Sequence, residues 1–282
     1  MRLGWRKWAA LGLALLLVLL GADTLYAESR TRTLPVLMYH HFAQEGDGGA
    51  TISEGRFREQ MEALKDAGFT AVTLEEVLDY VDLGAPLPDK PVLITMDDGY
   101  TSNLEIAGPI LEDLDYRATV FVIGVNEGRT TYLHDGKPLS PPRFSYEEAA
   151  GWVSKGVLDV QSHTWDMHQL ASYGFSGREG VLALPGESEE AWKKAVLEDL
   201  ETFREAREGR ADTELVAMAY PFGYWDGRVD RWLEEAGIAF TFTTEEHTNR
   251  VRIGDRGSLR CLGRYNATEW YTGQDLVALL GG

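Results

Sequence analysis

Seven short runs of β-branched and apolar residues, each followed by a stretch of helical periodicity, constrain this chain more than any other feature. The runs are "LPVLMYH" (34–40), "FTAVTL" (69–74), "PVLITM" (91–96), "RATVFVI" (117–123), "VLDVQS" (157–162), "LVAMAY" (215–220) and "IAFTFT" (238–243). Strands apolar at nearly every position are buried on both faces, which requires a parallel sheet covered by helices. The intervening stretches supply those helices. Phe57, Met61 and Leu64 share one face of 55–68, and Gly68 ends it. Thr73 with Glu76, and Ser145 with Glu148, form capping boxes that open two more. Further helices are expected at 102–114, 187–207, 227–236 and 273–280. The fold class is therefore α/β with about seven parallel strands, as one domain over 34–282. An open doubly wound sheet and a closed or distorted barrel both fit this pattern, and in each the functional residues gather at the C-terminal strand ends. The long loop-like stretches 124–144 and 171–186 are expected to rim that end.

The N-terminus is a separate object. Arg2, Arg6 and Lys7 precede an apolar run from Trp8 to Leu20, then small and polar residues. This is the layout of an export signal. Residues 1–27 are read as a signal peptide or a retained membrane anchor, and 28–33 as a short linker. The expected location is outside the cytoplasm, with any membrane contact made through that segment. The single cysteine, Cys261, allows no internal disulfide and is read as a small buried residue. A net charge of −18 argues against a nucleic-acid partner, because phosphate contacts need Lys and Arg.

The strand ends carry the unusual residues. They read "YHH" with His40 and His41, "MDDG" with Asp97 and Asp98, "SHTWDMH" with His163 and His168, and "YPFG" from Tyr220 to Gly223. On a helix, His163 and His168 would point about 140° apart. After a strand, in a turn, the same spacing can bring both rings round to one ion. Two adjacent ionised aspartates repel in a partly buried site unless a cation neutralises one, which suggests one carboxylate for a metal and one kept free as a base. Two histidines and one aspartate make an open zinc-type set and also match the facial triad of non-haem iron.

"TMDDG" resembles the T-F-D-D-G signature of the polysaccharide deacetylases, the NodB-homology domain of carbohydrate esterase family four. "SHTWDMH" resembles the second motif of that family, in the form whose second histidine comes five residues on. "PVLMYHHF" and "YPFG" extend the resemblance over about 34–280. It implies a distorted (β/α) barrel and a metal-dependent hydrolase that removes acetyl from N-acetylglucosamine units of a polysaccharide. Carried over residue by residue, Asp97 would be the general base. Asp98, His163 and His168 would hold one divalent ion, zinc first, with cobalt or nickel as alternatives. The backbone N–H of Phe222 would help hold the oxyanion.

Two departures stand out. "AMAYPFG" lacks the arginine that commonly precedes the proline, and no histidine follows His247 to act as the late general acid. The chain is similar instead to the exported poly-N-acetylglucosamine deacetylases, in which the histidine after the first strand is proposed as the acid. That makes His40 the candidate acid and Arg264 of "GRYN" the candidate to orient the base. Trp165, Tyr220, Phe222, Tyr224 and Trp225 are candidate platforms for sugar rings, while His41, His134 and His247 are expected at surface or loop positions. The same machinery would suit a carbohydrate O-acetyl esterase. A carbohydrate-binding protein of the same fold without turnover is the alternative of another class.

Overall fold

The computed structural model describes residues 30–172, 175–211 and 213–281. The expected N-terminal signal or anchor lies outside the described residues. The chain opens with β1 (Thr31–Leu34), β2 (Val36–Tyr39), β3 (His41–Ala43) and β4 (Thr51–Ser53), followed by α1 (Glu54–Asp66). Next come β5 (Thr70–Ala71), α2 (Leu74–Leu83), β6 (Pro91–Asp98), α3 (Gly108–Asp113) and β7 (Ala118–Val122). α4 (Tyr146–Ser154), β8 (Leu158–Ser162), α5 (Glu189–Arg207), β9 (Ala217–Ala219), α6 (Gly227–Glu235) and β10 (Phe240–Phe242) continue the alternation. β11 (Asn249–Arg252), β12 (Tyr265–Asn266) and α7 (Gly273–Leu279) complete it. All seven apolar runs contribute a strand.

The main sheet runs β10-β9-β8-β7-β6-β2-β12, with every pairing parallel, and β5 pairs with the start of β6. It curls into a half-barrel. The segment after Cys261 spans the opening: Leu262 bridges Phe242 of β10, and three residues later β12 pairs with β2. Side-chain alternation then sorts the strands. Val36, Leu93, Phe121, Ala217, Ala219, Phe240 and Phe242 pack together inside the curl. Leu37, Ile94, Met96, Val120 and Val160 face outward onto α1, α3, α4 and α7, and Met218 and Tyr220 face α5 and α6. β1 pairs antiparallel with β11, and their Leu34 and Val251 join the inner cluster.

Both capping boxes form, at Thr73 and Ser145. α7 lies so close to α1 that a Cβ on Gly273 would sit 2.5 Å from Ala63 Cβ and 2.8 Å from the Glu59 carbonyl oxygen. Two local expectations change. The stretch 28–33 is not linker throughout, because Thr31–Leu34 is drawn into a strand by β11. The helix expected at 102–114 divides into a π-wound turn, Asn103–Ala107, and α3. Pro109 explains the division, since it has no N–H to donate back and its ring crowds the preceding turn.

Candidate active site

In a regular strand Asp97 and Asp98 would point to opposite faces of the sheet. Asp97 keeps the inward parity of Leu93 and Thr95. Asp98 does not keep to the pleat, because its φ of 73° lies in the left-handed region. Both carboxylates therefore reach His163: Nε2 lies 3.8 Å from Asp97 Oδ2 and 3.7 Å from Asp98 Oδ1. His168 Nε2 lies 3.4 Å from the same Asp98 Oδ1. Ligand atoms of Asp98, His163 and His168 all fall within 4.8 Å of one another. Thr164 (φ 70°) and Phe222 (φ 58°) carry the same unfavourable backbone at neighbouring strand ends, and such strain persists where the surroundings enforce it.

Both histidine rings are ready to ligate. His163 Nδ1 lies 2.8 Å from the Ala219 carbonyl, which can only accept, so Nδ1 carries a proton and Nε2 is the atom turned to the carboxylates. Burial, partly offset by Asp98, pushes His168 down to about 4, so that ring is neutral at physiological pH. Asp98 is held below the usual carboxylate range: burial opposes ionisation, but His168, His163 and His40 outweigh it. Its Oδ1 is buried and has no hydrogen-bond partner among the described residues, although it faces both Nε2 atoms. Asp98 Oδ1 facing the Nε2 atoms of His163 and His168 makes a set of three ligand atoms that can hold a divalent cation.

The turn carrying these histidines is gripped from behind. Asp199 of α5 accepts the backbone N–H groups of Trp165 (2.7 Å) and Asp166 (2.8 Å). Composition and motif did not reveal Asp199. The available signal was its place among Trp192, Val196, Leu200 and Phe203 on the buried face of α5, where a carboxylate is out of character.

Arg264 is 0% exposed and forms a two-pronged pair with Asp97, Nη1 to Oδ1 at 2.7 Å and Nη2 to Oδ2 at 2.8 Å. Its Nε donates to the Thr243 carbonyl at 2.9 Å. Burial alone would raise Asp97, but Arg264 and then His163 hold it well below the usual carboxylate range. His40 is half-buried and adds its charge to the field at both aspartates.

Beside this cluster opens a cleft of about 640 Å³, reached by Asp98 and His168 and walled by Tyr100, Tyr132, Arg143 and Phe175. Both long loops do rim it. His134 is no bystander: it pairs with Asp166 at 2.6 Å and stacks on the 73% exposed Phe175. His41 meets Ser102 Oγ at 2.8 Å, and His247 is exposed. Phe222 packs its ring 4.4 Å from that of His168. Tyr224 and Trp225 are partly exposed just beyond it. Two expected sugar platforms face elsewhere. Tyr220 shares the outward parity of Met218, is fully buried, and donates its hydroxyl to Asp230 of α6. Trp165 lies half-buried against Gly124 and Phe203, in the layer beneath α5. Cys261 is half-buried, with burial pushing its thiol up to about 12.

A sequence model described as polysaccharide deacetylase matches residues 84–241, more than half of the chain. The chain belongs to the polysaccharide deacetylase family. It is 26% identical over 242 residues to YxkH of Bacillus subtilis, covering 82% of this chain and 75% of that one. It is 22% identical to the poly-β-1,6-N-acetyl-D-glucosamine N-deacetylase of Escherichia coli K12, over 69% of this chain but only 31% of that protein. With the Staphylococcus epidermidis protein of the same name it shares 25%, over 70% and 62% of the two lengths. This chain thus spans about a third and under two thirds of those two relatives. Among solved structures, IcaB from Ammonifex degensii superposes with a TM-score of 0.71 at 26% identity, over 89% of this chain and 97% of that one. A de-N-acetylase from Aggregatibacter actinomycetemcomitans gives 0.75 at 19% identity, over 88% and 100%, and shares the fold.

Proposed function

We propose that this protein is a metal-dependent hydrolase that removes N-acetyl groups from N-acetylglucosamine units of an extracellular or cell-surface polysaccharide. The observation that carries the metal reading is the buried, unpartnered Asp98 Oδ1 between the Nε2 atoms of His163 and His168. The names of the relatives supply the acetylglucosamine reading.

Asp98, His163 and His168 would hold one divalent ion, zinc first, with cobalt or nickel as alternatives. When bound, such an ion polarises a carbonyl and lowers the pKa of water towards roughly 7. Asp97 accepts the proton of the attacking water. Each of its oxygens gives one lone pair to Arg264 and keeps another free. A carboxylate held below the usual range is a weak base, so it would need a water whose acidity a bound ion raises. Arg264 fixes the direction from which the proton is taken. The Phe222 N–H donates to the oxyanion as the carbonyl is attacked. His40 protonates the departing amine, a poor leaving group that needs an acid near neutral pH. Residues 1–27 direct this activity outside the cytoplasm.

The test is free-amine release from N-acetylglucosamine oligomers by protein stripped with chelator and then given Zn²⁺, Co²⁺ or Ni²⁺. Release restored by metal is the expected result. Absence of release with metal bound, together with turnover of O-acetyl sugars, would replace this reading with the esterase.

A further inference from the structure

Arg143 lies in the long loop before α4, is absent from every motif, and yet reaches the candidate metal site. The backbone puts it there. Residue 143 pairs antiparallel with Tyr100, flanked by Phe144 N–H to the Gly99 carbonyl (3.1 Å) and Thr101 N–H to the Pro142 carbonyl (3.0 Å). This short ladder ties the loop to the residues directly after Asp98. Its guanidinium lies 3.6 Å from the centre of the Tyr100 ring, with Nη1 donating to the Pro141 carbonyl at 2.6 Å. Nη2 stands 3.9 Å from Asp98 Oδ2.

The two oxygens of Asp98 are thereby divided. Oδ1 faces the two histidines and Oδ2 faces the guanidinium. The Arg143 side chain is only 7% exposed, and its Nε is buried without a partner among the described residues. Burying a guanidinium this incompletely satisfied is costly unless the site uses its charge. We propose that Arg143 is a positioning residue for the ion: its charge, 3.9 Å from the outer oxygen of Asp98, holds that oxygen and so aims the inner oxygen at the metal. Carboxylate ligands are typically oriented by such outer partners, whose loss costs about 10–100-fold in metal affinity. Tyr100 supplies the plane on which the fork rests. The inference rests on the metal reading above.

The alternative is that Arg143 only packs on Tyr100, in which case its charge would repel a cation and its removal would leave zinc binding unchanged or tighter. Zinc affinity separates the two. Chelator-stripped wild type, Arg143→Lys and Arg143→Met are titrated with Zn²⁺ against a chromogenic chelator, with the melting temperatures of the metal-free forms measured alongside. We expect zinc binding to weaken about 10–100-fold in Arg143→Met, with Arg143→Lys in between, since Lys keeps the charge but not the planar group that stacks on Tyr100. Equal or tighter zinc binding by Arg143→Met overturns the inference. Should that variant fail to fold, Arg143→Gln carries the same test with the same two outcomes. A wild-type protein that binds no zinc, cobalt or nickel refutes the metal reading itself, and the inference with it.

Discussion

Replacing Arg264 with Met removes the cation from a pair in which both partners are almost wholly buried, Arg264 at 0% and Asp97 at 2% exposure. Met matches much of the side-chain volume, so the perturbation is mainly electrostatic. Two guanidinium bonds, at 2.7 and 2.8 Å, are lost, and the Asp97 carboxylate is left in a setting where burial opposes its charge. Breaking a buried pair from one side costs about 3–5 kcal/mol. Against a total stability of roughly 5–15 kcal/mol, that is a large fraction. For a domain of this size it corresponds to a melting temperature lower by about 6–20 °C. The assay is urea unfolding of metal-free wild type, Arg264→Met, Asp97→Asn and the double variant. Each single variant strands one polar partner, so both should lose several kcal/mol. The double variant should recover much of that loss, because no uncompensated charge remains. Additive losses, or a cost below about 1 kcal/mol for Arg264→Met, would refute the claim that this pair is a coupled buried unit.

Asp98→Ala, His163→Ala and His168→Ala should each lose bound metal, as measured by elemental analysis after gel filtration, whereas Asp97→Asn should retain metal and lose turnover. Full activity in Asp97→Asn would remove it as the base. His40→Ala should slow amide substrates far more than acetyl esters with good leaving groups; equal losses on both would count against an acid role. In Asp199→Asn an amide N–H₂ must face the backbone N–H of Trp165 or Asp166, which should cost about 1–3 kcal/mol and weaken zinc binding; unchanged urea and zinc titrations would show that the grip is dispensable. The Asp230 carboxyl is held below its usual range by Arg260, Thr241 and Tyr220 despite burial, so its contribution to stability is present above the unfolded value of roughly 3.9 and is lost as pH falls through its lowered value. Asp230→Asn should therefore lose stability at neutral pH and less under acid, by urea midpoints; an equal loss at both would oppose this account.

The strands were legible because both-face burial writes itself into every residue of a run, and the helices because their caps and apolar faces are local. The Asp97–Asp98 and His163–His168 pairs were legible for the same reason: each lies within one strand end. Arg264 was only a candidate in the sequence. It stands 167 positions from Asp97 and meets it only because the segment after Cys261 spans the two edges of the curled sheet. Tyr220 looked like a cleft aromatic until strand parity turned it into α6. Asp98 reaches the histidines through a left-handed backbone that its sequence neighbourhood does not announce. Arg143, His134 and Asp199 carry no motif, and one long loop and one helix bring them to the site. Sequence by itself determined which residues end each strand and what chemistry they offer. Tertiary structure decided which of those ends face one another, because convergence depends on sheet curvature, register and closure, which are summed over the whole chain and written at no single position.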